Sequence, residues 1–169
     1  MLLGAVAPRV SGAQSRSIAL LGYHTAVPAD WTPRAPSSSM RLAEFVTPGP
    51  DSLSRAEVIV YFFGVGQGGS VASNIARWKA QFSTPDGSPV PEIVTRDSTS
   101  GFPVTFAEFR GTYARGIGAG SPENARAGQT LIAAVAETPR GTMFIQLFGP
   151  SARVAAQRDA FVRFVNGIK

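Results

Sequence analysis

Apolar and polar residues alternate over residues 40–46, with Met40, Leu42, Glu44 and Val46 on one side and Arg41, Ala43 and Phe45 on the other. That is the two-residue period of a strand. Pro48, Gly49 and Pro50 then make a turn. Residues 56–63, AEVIVYFF, are nearly all apolar and rich in β-branched and aromatic side chains. They predict a central strand covered on both faces.

The period changes after Phe63. Gly64, Gly66, Gly68 and Gly69 lead into Ser70, a residue suited to cap a helix. Val71, Ile75, Trp78 and Phe82 follow at spacings of four, three and four, so one helix face carries all of them. Asn74, Arg77, Lys79 and Gln81 fall mostly on other faces, and Pro85, Asp86 and Gly87 end the helix in a turn.

Strand alternation returns at 92–95 and at 102–113, where Val104, Phe106 and Glu108 face one way and Thr105, Ala107 and Phe109 the other. Residues 115–128 read as a long glycine-rich loop, and 129–138 with 141–148 as a β-hairpin around Pro139 and Arg140. A final helix is capped by Ser151. It carries an apolar stripe of Val154, Ala155, Phe161, Phe164, Val165 and Ile168, with Arg153, Arg158 and Arg163 toward solvent. Earlier in the chain, Pro28, Pro33 and Pro36 make residues 23–39 a surface loop anchored by an inward Trp31.

The order strands, helix, strands, helix predicts an α+β fold, a mainly antiparallel sheet packed between α-helices, rather than alternating βαβ units. No repeat or linker divides the chain, so residues 15–169 are expected to form one domain. At 169 residues with 44% hydrophobic content the chain is long enough for a real core, and no apolar stretch is long enough to span a membrane. Residues 1–14 stand apart. Their apolar start and the small residues Ser11, Gly12 and Ala13 fit either the remnant of an export signal or an unstructured terminus. The export reading is preferred, which makes the expected location periplasmic or otherwise extracytoplasmic, with the cytoplasm as the alternative.

Composition removes most chemistry. There is no cysteine, so disulfides, thiolate metal sites and cysteine nucleophiles are excluded, and His24 is the one histidine. The net charge is +5, and with only two lysines, Lys79 and Lys169, 14 of the 16 cations are arginine. These arginines are scattered singly, without the basic runs and interleaved aromatics of a nucleic-acid binder.

Gly64, Gly66 and Gly69 match the spacing G-x-G-x-x-G between a strand and a helix. A dinucleotide site would also need a parallel strand ending in an acidic residue about 20 positions on. A turn stands there instead. The glycines are better explained by a tight turn that only they can make. No catalytic motif is present, and no catalytic, metal or cofactor site is expected.

The stretch from Phe63 to the GQGGS turn, the helix carrying Asn74, Arg77, Trp78 and Phe82, Trp31, the SSSMR around Met40, the GTY ending at Tyr113, and the LFGP ending at Pro150 resemble a family of uncharacterised exported bacterial proteins. That family is similar in element order to the PsbP-like superfamily, which holds photosystem extrinsic subunits, periplasmic DcrB proteins, a yeast Ran-binding protein and chaperones for secreted toxins. The resemblance implies an antiparallel sheet between helices, used to bind proteins rather than for catalysis, and it supplies no catalytic residues.

Two binding surfaces are therefore expected. The first binds another protein, for instance a membrane complex, through Gly66, Gln67, Gly68, Gly69, Asn74 and Arg77, where missing side chains permit close backbone approach. Alternatively Gln67 and Asn74 tie the turn to its own domain. The second is an apolar ligand or chaperone groove lined by Tyr61, Phe63, Trp78 and Phe82, residues whose ordinary fate is core packing.

Overall fold

The computed structural model describes residues 16–114 and 125–169. The expected signal remnant and most of the loop expected at 115–128 lie outside the described residues. The chain runs β1 (Arg16–Leu20), β2 (Tyr23–Val27), β3 (Thr32–Arg34), β4 (Arg41–Val46), β5 (Glu57–Tyr61), α1 (Val71–Lys79), β6 (Phe82–Ser83), β7 (Glu92–Asp97), β8 (Val104–Tyr113), β9 (Arg126–Thr138), β10 (Gly141–Pro150) and α2 (Ser151–Asn166). β1 and β2 form a separate hairpin. The other strands make one sheet in the order β3-β4-β5-β10-β9-β8-β6, with β7 also paired to β8. Every strand pair among the described residues is antiparallel, so the glycine spacing does not sit in a nucleotide-binding βαβ unit.

The helices lie on opposite faces of the sheet. On one face Val58, Val60, Val104, Phe106, Ile132, Ala134, Met143, Ile145 and Leu147 pack against Val154, Phe161, Phe164 and Val165 of α2. Trp31 is buried here as expected, against Phe45 and Phe164, with its indole donating to Gln157 at 2.8 Å. On the other face Ala107, Phe109, Leu131, Ala133, Val135 and Phe144 meet Trp78 and Phe82. The alternation expected for β8 is observed on both faces.

Several local expectations are corrected. Residues 23–39 contain β2 and β3 rather than being all loop. β2 is brought in by a tight turn at Leu21 and Gly22, both at positive φ, and Arg140 pins that turn by donating to the Leu21 carbonyl at 2.9 Å. Pro33 sits in β3, an edge strand, where its missing N–H costs no ladder bond. α1 ends at Lys79, so Phe82 belongs to β6. β9 begins at Arg126, within the expected loop.

α2 also departs from expectation. Its first residue is Ser151, whose hydroxyl donates to the Gly128 carbonyl at 2.9 Å and accepts from Thr130 instead of capping the helix. Ala155 is exposed, and Arg158 turns onto the sheet to meet buried Glu108.

Candidate binding cleft on the sheet

Ser70 caps α1 as expected, its hydroxyl accepting from the Ser73 amide at 3.1 Å. Trp78 is buried, while Val71 and Ile75 are half-covered. Asn74 is 1% exposed. Its side-chain nitrogen donates to the carbonyls of Gly68 and Ser70 at 2.8 and 2.9 Å, and its oxygen accepts from Arg77. The amide of Asn74 thus closes the glycine turn on its own domain, and Arg77 is part of the same clasp.

Gly64, Gly66, Gly68 and Gly69 all have positive φ, between +70° and +108°. At Gly68 a β-carbon would also stand 2.5 Å from the Phe144 ring. The turn therefore needs glycine for backbone geometry and, at Gly68, for space. Gly66 and Gln67 remain exposed at its tip beside Val65, which is 75% exposed.

The sheet leaves more open than the turn does. With nine residues α1 is about 13 Å long at the helical rise, whereas the ten residues of β10 extend about 33 Å. Among the described residues the α1-side face carries a cleft of ≈ 500 Å³, floored by Ile59, Leu131, Gln146 and Phe148 and walled by Tyr61, Gln81 and Tyr113. Glu57 and Arg126 stand at its polar end. A recess of ≈ 260 Å³ continues it toward α1, between Tyr61, Phe63, Trp78 and Phe144.

Register explains the cleft. β5 pairs with β10 so that Tyr61 lies opposite Phe144, Ile59 opposite Gln146 and Glu57 opposite Phe148. β10 pairs with β9 so that Gln146 meets Ala133 and Phe148 meets Leu131. Small Ala133 and half-buried Ile59 flank Gln146, and the short alanine side chain leaves a depression in the floor. Its walls are aromatic: Tyr61 stacks on Phe63 at 5.9 Å, and Tyr113 packs on Phe148 at 4.4 Å. Arg41 lies over the Tyr61 ring at 5.4 Å.

Of the residues expected to line a groove, Tyr61, Phe63 and Trp78 come together in the recess. Phe82 stays inside, packed on Phe109 and Tyr113 as backing for the wall. Sequence reading missed Ile59, Tyr113, Leu131, Gln146 and Phe148. It also expected β5 covered on both faces. Val58 and Val60 are fully buried beneath α2, but Glu57 is exposed and Ile59 and Tyr61 are half-open on the cleft side.

His24 is exposed on β2, which pairs through its backbone with Lys169 at 2.9 and 3.1 Å. Among the described residues no cluster of three or more histidine or acidic side chains could hold a metal, and no helix is long and apolar enough to cross a membrane.

Cyanobacterial PsbP from Synechocystis sp. PCC 6803 superposes on the structure with a TM-score of 0.58, covering 98% of this chain and 97% of its own at 12% identity. The fold is PsbP-like. LpqN, involved in cell envelope biogenesis of Mycobacterium tuberculosis, gives a TM-score of 0.54 at 12% identity, over 91% of this chain and 83% of its own. No family model matches the chain, and no curated protein matches it by sequence.

Proposed function

We propose that this chain is a non-enzymatic extracytoplasmic binding protein, an accessory to a larger envelope or membrane-associated assembly, and that it holds an apolar segment of its partner in the cleft beside α1. The observation that carries this reading is a ≈ 500 Å³ depression that the described residues leave open on the sheet, its floor combining Ile59, Leu131 and Phe148 with Gln146 and its walls carrying Tyr61 and Tyr113. Such a mixture of apolar surface and a few placed polar groups suits capture of a side-chain cluster or acyl chain. The shared fold with PsbP and with a protein involved in cell envelope biogenesis supports the accessory role and the location. The self-satisfied Asn74 clasp favours the cleft over the glycine turn as the principal contact.

A photocrosslinking residue at Gln146, compared with one at Gln67, tests this in intact cells. The cleft position is expected to trap the partner and the turn position not. The reverse result, or a cytoplasmic location on fractionation, would overturn the reading. In solution, Ile59→Lys is expected to abolish binding of an apolar fluorescent dye while leaving the circular dichroism spectrum unchanged.

A further inference from the structure

The two outer edges of the main sheet differ sharply. β3 is three residues long with Pro33 at its centre, a poor template for another strand. β7 is six residues long, contains neither proline nor glycine, and pairs with β8 in unbroken register from Glu92↔Phe109 to Asp97↔Val104. Its other edge has no backbone partner among the described residues. Ile93 and Val94 on it are 55% and 44% exposed. A regular edge with bare apolar side chains is a ready site for strand addition.

We infer that β7 pairs antiparallel with β7 of a second copy of this chain, about a two-fold axis through Val94. Backbone donors and acceptors alternate between the two edges of a strand, so two identical edges pair only with residues of equal parity opposite one another. Centring the axis on Val94 sets Glu92 opposite Arg96 of the second copy, twice by symmetry, and Ile93 opposite Thr95. Centring it on Thr95 sets Ile93 opposite Asp97 and Val94 opposite Arg96, matching apolar groups with charges. Charge complementarity thus selects both the partner and the register.

Glu92, Val94 and Arg96 share the α1 side of the sheet, where Lys79 already holds Glu92 at 2.6 Å. Arg96 has no ion pair among the described residues, and the second copy supplies one. The resulting sheet runs continuously through both copies, with the two binding faces on the same side.

Sedimentation of the full chain over a concentration series tests this. The wild type is expected to dimerise reversibly. Glu92→Lys and Arg96→Glu, each placing like charges opposite each other, are expected to weaken the dimer about tenfold or more. Mixing the two variants restores opposite charges at both positions and is expected to restore the dimer, which also shows that each variant is folded. A wild type that stays monomeric, a dimer indifferent to both reversals, or a mixture that associates no better than either variant would overturn the inference. So would crosslinks from Thr95 that reach only other proteins.

Discussion

The side-chain amide of Asn74 donates to the carbonyl oxygen of Gly68 at 2.8 Å, from a position on α1 that is almost wholly buried. This bond joins the glycine turn to the helix that follows it. Asn74→Ala removes the donor for two carbonyls at once, and a net loss of about 1–3 kcal/mol is expected in chemical denaturation. Asn74→Asp offers no N–H in its ionised form and is expected to be no better.

The glycines of the turn separate two effects. Gly66 has φ +70° and open space around its missing β-carbon, so Gly66→Ala carries only the backbone penalty of about 1–2 kcal/mol. Gly68→Ala carries a similar penalty and a clash with Phe144 and Phe63 as well. Its total is expected to reach about 3 kcal/mol or more. Thermal unfolding of the pair measures the difference.

Glu108 is buried between Arg110, which it meets at 2.7 Å, and Arg158 of α2. Arg158→Ala leaves Glu108 with a single, partly solvated partner, and a cost of about 1–3 kcal/mol is expected. Replacing both together, Glu108→Leu with Arg158→Met, is expected to recover much of that loss. A double-mutant cycle in urea checks it.

Acid sensitivity follows from four carboxylates. Hydrogen bonds from Thr99, then from Asn166, hold Asp97 below the usual carboxylate range. Ser54 does the same for Asp51 and Ser88 for Asp86. For Glu44 partial burial pushes upward, but hydrogen bonds from Ser37 and Arg41 outweigh it. Because these groups are depressed in the folded state, the unfolded chain takes up protons first as pH falls. Their stabilisation is complete at neutral pH and is expected to be lost progressively below about pH 4, with a shallower loss in Asp97→Asn. Unfolding free energy as a function of pH measures this.

The sheet and both helices are legible in the sequence because their periods are clean, as in Val104, Phe106 and Glu108 set against Thr105, Ala107 and Phe109. β1 and β2 escaped because their pairing depends on a two-residue turn whose first member, Leu21, adopts a φ of 51° uncommon for leucine. Arg158 reads as a solvent residue in the sequence because its partner, Glu108, is fifty positions away in the chain. Three of the cleft residues were named from helix spacing and strand composition. Ile59, Gln146 and Phe148 could not be, since what gathers them is the register between β5 and β10, a relation no local pattern encodes.

The clasp between Asn74 and the glycine turn bears on affinity as well as stability. It fixes the turn to α1, the helix whose Trp78 forms one wall of the recess. A wall already held in place has little conformational freedom left to lose on contact. A partner segment would then meet a shaped surface, and more of its apolar burial would remain as binding free energy.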